Sequence, residues 1–273
     1  MDTSSNVTYN YNYMKAVILA GGFGTRISEE SHLRPKPMIE IGGYPILWHI
    51  IKYYSHFGVN YFIICCGYRG YMIKEYFANY YLHRSDITFD FSAENRMVIH
   101  SNVAEPWKVT VVDTGQRTQT GGRIKRIKQF IEDERFFMTY GDGVSDIDLS
   151  KLLDTHENSG KTVTMSAIQP GGRFGVLDIN DRDGTITGFN EKAREDGAWI
   201  NGGFMVMEHE VFKYIDGDDT VFERGPLERL SASGKLGVFK HHGFWQCMDT
   251  ARDRALLEKL WDEGTAPWKV WGR

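Results

Sequence analysis

The residues with most to offer chemically stand in three places: "AGGFGTR" (Ala20–Arg26) with Lys36 beyond it, "YGDG" (Tyr140–Gly143), and "FWQCMDTARD" (Phe244–Asp253). Glycines at 21, 22 and 24 let backbone N–H groups approach oxygens closely, because no Cβ intervenes. Arg26 adds a fixed fork of donors suited to a phosphate, and Lys36 a compact, mobile charge. The loop matches neither common phosphate pattern. It lacks the order G-x-x-x-x-G-K-[ST], and Ile27 stands where G-x-G-x-x-G needs its last glycine. Pro35 and Pro37 flank Lys36. Each disfavours the α conformation in the residue before it, so Arg34 and Lys36 are both expected to be extended, with the lysine held on a stiffened segment.

A cationic, glycine-lined pocket suits a nucleoside triphosphate, whose phosphates call for a metal. Magnesium takes oxygen ligands, usually one or two carboxylates together with the phosphates themselves. Asp142 follows a strand-like run between two glycines and has little to do as a core residue. Asp249 ends an extended run directly before a helix, so it is either a second carboxylate of the site or that helix's N-cap. The residues alone leave both open. Asp146 and Asp148 form a D-x-D, but Asp148 directly precedes Leu149 and reads better as a cap. Glu191-Lys192 and Asn201-Gly202-Gly203 lie at strand ends in the second half, where an adjacent acid and base are usual on a surface. The histidines are scattered, and no serine or cysteine has a nucleophile-elbow context. That pattern suits phosphoryl-type transfer, in which positioning and charge neutralisation outweigh covalent chemistry.

The elements that must position these residues alternate. Ala16–Ala20, Tyr61–Cys66, Lys108–Asp113, Arg135–Tyr140 and Thr162–Ile168 read as apolar strands. Helices are expected from Pro45 to Gly58, where Ile46, Leu47, Ile50, Ile51 and Tyr54 make one apolar face, and over Gly70–Tyr81, Arg123–Phe130 and Leu149–Asn158. Alternation of this kind indicates an α/β fold with a Rossmann-like, largely parallel mixed sheet flanked by helices. Sites in such sheets gather in the loops after the strand C-termini, where the glycine-rich loop and Gly141-Asp142-Gly143 both fall. After Pro170 short strands, Phe174–Ile179, Thr185–Phe189, Phe204–Met207 and Leu236–Lys240, form a smaller C-terminal β elaboration, closed by a helix at Ala251–Trp261. Residues 1–13 read as a flexible leader, 14–168 as a nucleotide-binding core, and 169–273 as a sugar-phosphate-binding and C-terminal oligomerisation part of the same domain.

The totals narrow the classes. In 273 residues, 41% hydrophobic and 25% charged are ordinary globular values, and a formal charge of −4 argues against binding nucleic acid through its backbone. Cys65, Cys66 and Cys247 fit neither a disulfide framework nor a zinc spacing and read as small buried hydrophobes. No apolar run approaches the ~20 residues of a membrane span, and no signal peptide is legible, so the cytoplasm is the expected location.

The run "AVILAGGFGTR…PKPM" resembles the signature of the sugar-1-phosphate nucleotidyltransferases, a GT-A-like fold, and the similarity extends from Met14 to the C-terminal tryptophans. "EPWKVTVVDTGQRTQTGGRIKR", "YGDGVSDID", "GRFGVLDI", "NGGF" and "GFWQCMDTARD" resemble, within that family, the members that join CTP to α-D-glucose 1-phosphate. The resemblance implies that Leu19, Ala20, Gly21, Gly22, Gly24, Thr25 and Arg26 hold the nucleotide, with Arg26 on the phosphates and Lys36 near the reacting phosphoryl group. It implies that Thr120, Gly121 and Gly122 lie against the base with Arg123 near the same end, and that Gly141 belongs to the nucleotide site. Asp142 and Asp249 would hold Mg2+. Glu191 would accept sugar hydroxyls, Lys192 would contact the sugar phosphate, and Gly175 and Asn201 would line the hexose pocket. Ala193 departs from the proline many relatives carry after the Glu-Lys pair, which costs local stiffness. A homo-oligomer, with a hexamer as one candidate, and supply of a surface polysaccharide are implied as well. The base is the weakest point: an acceptor for the cytosine amine is expected among backbone carbonyls of Thr114–Arg123, and UTP or dTTP remain alternatives. A metal-dependent glycosyltransferase using Asp146-Ile147-Asp148 and a silent sugar-nucleotide sensor are the rivals of other classes. The tail bearing Trp268 and Trp271 is expected to pack on its own domain or on a neighbour.

Overall fold

The computed structural model describes residues 14–24, 27, 32–92, 94–169, 176–180, 182–190 and 198–272. The expected leader, residues 1–13, lies outside them, as do Thr25, Arg26, Gly175, Glu191, Lys192 and Ala193.

In chain order the strands are β1 (Lys15–Ala20), β2 (Glu40–Ile41), β3 (Tyr44–Pro45), β4 (Tyr61–Cys66), β5 (Ser85–Asp90), β6 (Arg96–Asn102), β7 (Lys108–Asp113) and β8 (Phe136–Tyr140). They continue with β9 (Gly143–Ser145), β10 (Val163–Ile168), β11 (Val176–Asn180), β12 (Thr185–Asn190), β13 (Trp199–Met207), β14 (Leu236–Lys240) and β15 (Trp245–Cys247). The helices that matter below are α1 (Ile46–His56), α2 (Gly70–Ala78), α3 (Thr120–Arg126), α4 (Leu149–Ser159) and α5 (Ala251–Asp262).

One described sheet of nine strands runs β10-β14-β12-β11-β13-β8-β1-β4-β7. It is mixed. β1 pairs in parallel with β4 and β8, β4 with β7, and β10 with β14, each over five or six residues. The antiparallel pairings all involve β11, β12 or β13. Strands from both expected parts of the chain therefore share one sheet, with β13 meeting β8 at Met205↔Met138.

Both faces are covered, and β1 shows why its sequence is apolar throughout. Ala16, Ile18 and Ala20 enter one core with Ile46, Ile50 and Tyr54 of α1, while Val17 and Leu19 enter the other with Ile124 of α3 and Phe212. A strand buried on both sides cannot alternate polar with apolar. α1 starts after Pro45, whose missing N–H costs nothing at a helix start, and presents the expected Ile/Leu/Tyr face to the first core.

Several readings need correction. The helix expected over Arg123–Phe130 starts earlier, at Thr120, and ends at Arg126, with a separate turn at Lys128–Ile131. Tyr80 and Tyr81 do not continue α2: it ends at Ala78, and Tyr80–His83 forms a separate single turn. The expected strands Thr185–Phe189 and Leu236–Lys240 and the closing helix match within one residue, but β13 begins earlier, at Trp199, and the helix at Gly225–Ala232 was not expected. A hairpin of β5 and β6 stands outside the main sheet and carries exposed Phe89, Met97, Val98 and Ile99. It offers no buried apolar run, which is the pattern that reveals a strand in sequence. The cysteines are free and buried, and burial pushes the Cys66 thiol up to about 12. Trp268 is fully buried in its own chain, stacked on Phe244 and donating to His49 Nδ1 at 3.3 Å.

Candidate active site

The C-terminal ends of β1 and β8 open beside a cavity of about 360 Å³. Its walls include Leu19, Ala20, Gly21, Gly22, Phe23 and Gly24 from the loop after β1, with Lys36 and Pro37 beyond. Gln116–Thr120 and Arg123 form a second wall, and Tyr140, Gly141 and Asp142 a third.

Each part has a local reason to sit where it does. The Gly21 carbonyl accepts from Tyr68 N at 3.3 Å and Arg123 Nη2 at 3.0 Å, and a Cβ on Gly21 would lie 2.2 Å from Arg123 Nη1. Glycine is required there by the guanidinium behind the loop. Gly24 takes φ 66°, closing a turn that Ile27 N–H completes on the Gly24 carbonyl at 3.1 Å. Gly141 donates to the Leu19 carbonyl at 2.9 Å, and a Cβ on it would meet Pro37 Cγ at 3.1 Å.

Lys36 is not extended. Lys36–Met38 is a 3-10 turn, with Met38 N–H on the Pro35 carbonyl at 2.8 Å and Ile39 N–H on the Lys36 carbonyl at 3.1 Å. The first N–H groups of such a turn have no intraturn partner, so Pro37 removes no bond, and i→i+3 pairing accommodates the proline. Lys36 is thus aimed by the packing of Pro37 on Gly141 and by its own ion pairs. Its Nζ lies 2.6 Å from Asp142 Oδ2 and 2.5 Å from Asp249 Oδ1, with the lysine side chain 10% exposed. Burial pulls its pKa down, but the charges of Asp142 and then Asp249 outweigh that and leave it above the ordinary lysine value.

The two carboxylates are brought together from residues 107 apart by a short antiparallel pairing. β15 lies on β9 with Cys247↔Gly143 in register, and Met248 N–H donates to the Asp142 carbonyl at 2.8 Å. The cap reading of Asp249 does not hold: Thr250 is the N-cap of α5, accepting from Asp253 N–H while Asp253 accepts from Thr250 N–H at 2.8 Å. Asp249 pairs with Lys36 instead. Asp148 is a cap, accepting from Ser150 N–H and Lys151 N–H at the start of α4, and Asp146 Oδ1 is bonded to His241 Nε2 at 2.9 Å.

Arg123 lines the cavity from behind. Its Nη1 donates to the carbonyls of Cys66 (3.0 Å) and Gly115 (2.8 Å) and to Thr114 Oγ1 (2.7 Å), so its described bonds hold loops rather than reach outward. Burial lowers its pKa from the usual arginine value. Thr120 stands on the cavity wall, but its hydroxyl donates to Glu223 Oε2 at 2.5 Å and accepts from Phe222 N–H at 2.8 Å. Gly121 and Gly122 are explained differently from the expectation. A Cβ on Gly121 would lie 2.8 Å from the Thr220 carbonyl oxygen and one on Gly122 2.5 Å from that of Asp218, so both glycines admit the 218–220 segment. Asn201 sits where β13 shifts register against β10, a bulge that re-aims side chains, and its Oδ1 accepts from Gly203 N–H at 2.8 Å.

With this geometry in hand, relatives can be compared. The nucleotidyl transferase family matches residues 15–236. The chain belongs to that family. It is 57% identical to the glucose-1-phosphate cytidylyltransferase of Salmonella typhimurium strain LT2, over 94% of this chain and 100% of that protein. It is 31% identical to the D-glycero-alpha-D-manno-heptose 1-phosphate guanylyltransferase of Campylobacter jejuni, over 73% of this chain and 78% of that one. Among solved structures, HddC from Yersinia pseudotuberculosis complexed with GMP-PN superposes with a TM-score of 0.72 over 91% of this chain and 99% of that chain, at 24% identity. That likeness speaks for the shared nucleotidyl transferase fold.

The residues that sequence reasoning missed are Tyr140, Glu223 and Pro37 in its packing role. Gln116–Gln119 follow β7, so the rule that sites lie past strand C-termini points at them. Nothing comparable marks Glu223, which lies 83 residues from the tyrosine it binds.

Proposed function

We propose that this chain transfers a cytidylyl group from CTP to α-D-glucose 1-phosphate, giving CDP-glucose and pyrophosphate. The observation that carries the reading is the convergence of Lys36, Asp142 and Asp249 at one end of a glycine-lined cavity. Identity of 57% to a protein named for this reaction supports the choice of substrates.

A sugar-phosphate oxygen attacks the α-phosphorus in line; the new O–P bond forms as the bond to pyrophosphate breaks, and the leaving group departs on the opposite side. The attacking monoester carries about −1.5 to −2 charges, so it needs no general base. The obstacle is anion meeting anion. Lys36, which the two carboxylates hold at the end of the cavity, would supply positive charge where negative charge builds up. Arg26 on the phosphates and Lys192 on the sugar phosphate would add to it; Glu191, Gly175 and Asn201 would bind the hexose.

The donor set fits magnesium: two carboxylates close enough to share one ammonium, offering hard oxygen ligands beside a cavity sized for phosphates. Among the described residues no cluster of three or more His, Cys, Asp or Glu converges, as suits an ion that takes its remaining ligands from phosphate and water. Bound by Asp142 and Asp249, magnesium would supply Lewis-acid neutralisation of the phosphates. Residues 14–168 serve the nucleotide and 169–273 the sugar phosphate. A backbone carbonyl of the Thr114–Arg123 stretch, part of which lines the cavity, would accept the cytosine amine. The enzyme works as a homo-oligomer in the cytoplasm; no helix of the described residues is long and apolar enough to cross a membrane.

The glycosyltransferase alternative is disfavoured, since Asp148 caps α4 and Asp146 is bonded to His241. The deciding experiment crosses CTP, UTP, dTTP, ATP and GTP with several sugar 1-phosphates in magnesium and reads pyrophosphate. CTP with glucose 1-phosphate should give the fastest release. Release only with UTP or dTTP would replace the base, and none with any pair would overturn the reaction.

A further inference from the structure

Glu223 lies outside every stretch with an expected role, yet both of its carboxylate oxygens are committed. Tyr140 Oη donates to Oε1 at 2.5 Å, and Thr120 Oγ1 donates to Oε2 at 2.5 Å. Its neighbour Phe222 is fully buried and donates its N–H to the same Thr120 hydroxyl, so the segment is anchored. The Tyr140 phenol also lies near the Asn201 side chain. Its ring occupies the space above Gly203, where a Cβ would lie 2.6 Å from Tyr140 Cδ2. One carboxylate thus joins the start of α3 to the end of β8 leading into Gly141-Asp142, and the Tyr140 ring it holds packs on β13 at Gly203.

Resting on the nucleotidyl-transfer reading above, we propose that Glu223 is a positioning residue for that reaction: it fixes the nucleotide wall at Thr120 against the reacting end at Tyr140–Asp142. It is not among the residues that line the cavity, and both of its oxygens accept from protein hydroxyls. Its action runs through Tyr140, two residues before Asp142. In-line displacement is sensitive to such alignment, and a misplacement of about 1 Å costs on the order of 100-fold in rate.

The test uses the full chain with Glu223→Ala, Glu223→Gln, Tyr140→Phe and the double variant Glu223→Ala/Tyr140→Phe. Pyrophosphate release gives kcat and both KM values, calorimetry gives the CTP Kd, and a thermal melt gives the folded fraction. Glu223→Ala should lower kcat on the order of 100-fold while the CTP Kd stays within about threefold, because alignment rather than ground-state binding is lost. Glu223→Gln should recover part of the loss, as its amide oxygen still accepts one hydroxyl. Adding Tyr140→Phe to Glu223→Ala should cost less than about twofold more, because coupled groups do not add. Normal kcat in Glu223→Ala, or a loss that follows the unfolded fraction, overturns the proposal. If Glu223→Ala does not fold, Tyr140→Phe decides: lowered kcat at unchanged Kd supports the proposal and unchanged kcat overturns it. Wild type run alongside separates the two layers. An inactive wild type removes the reaction and this proposal with it, whereas an active wild type with normal variants removes Glu223 alone.

Discussion

Lys36 and Arg123 line the same cavity and are almost equally buried, at 8% and 5% exposed, yet their partners differ in kind. Lys36 meets two side-chain carboxylates, Asp142 from the turn between β8 and β9 and Asp249 from the segment after β15. Arg123 meets the carbonyls of Gly21, Cys66 and Gly115 and the Thr114 hydroxyl, four groups that fix three loops. A buried cation saturated by backbone carbonyls is committed to shape, since each carbonyl would be left unpaired if it moved. A buried cation held by two carboxylates can exchange partners, because an arriving metal ion can take its place and arriving phosphate can accept it. Charge and burial alone do not separate scaffold from chemistry; the kind of partner does.

The largest effect that would break this contrast is expected at Asp142. Asp142→Asn should abolish magnesium-dependent pyrophosphate release while leaving the melting temperature near the wild-type value, and near-normal release would refute its metal role. Arg123→Met should act in the opposite sense. Leaving buried carbonyls unpaired should cost about 3 kcal/mol of unfolding free energy by denaturant titration and weaken CTP binding. Turnover by the bound fraction should persist. A stable Arg123→Met variant with full CTP affinity but no turnover would reverse the two roles.

A smaller effect separates the site from the aromatic cluster beneath it. His49 is buried among Tyr44, Trp48 and Trp261 and donates from Nε2 to the Ile41 carbonyl at 2.8 Å while Nδ1 accepts from Trp268. That pairing requires the neutral ring, and burial lowers its pKa to about 4. Below pH 6.5 the unfolded chain takes up the proton first, so stability is full above that value and is lost as pH falls toward 4. The whole contribution is about 3 kcal/mol. Thermal melts of wild type and His49→Gln between pH 7 and 4 should show a shallower slope in the variant; parallel slopes would remove His49 as the cause. The smallest effect is at the α4 cap, where Asp148→Ala should cost about 1 kcal/mol with kcat unchanged. Lost turnover there would revive the D-x-D as a functional pair.

How far the sequence revealed this molecule depended on where each signal came from. β1 and β4 were legible because strands buried on both faces must be apolar throughout, and α1 because its face repeats with the helical period. Asp142 was legible from the flanking glycines. Asp249 was ambiguous, since the residue before a helix and the residue at its cap differ by one position, and only the Thr250–Asp253 capping box separates them. The conformation at Lys36 was misread because the pre-proline preference is local, whereas a 3-10 turn needs no N–H from Pro37. Gly121 and Gly122 were expected against the base only from resemblance, and their closeness to the 218–220 segment is something no local pattern announces. Glu223 was invisible for the same reason.

The contrast between the two cations is tested most directly by measuring kcat and the CTP Kd together in Lys36→Ala. Loss of a charge that acts where the transition state develops it should lower kcat by about 100-fold or more while Kd weakens by less than about fivefold. Equal losses in kcat and affinity, with the stability loss expected of Arg123→Met, would contradict the account: Lys36 would then be a second scaffold cation.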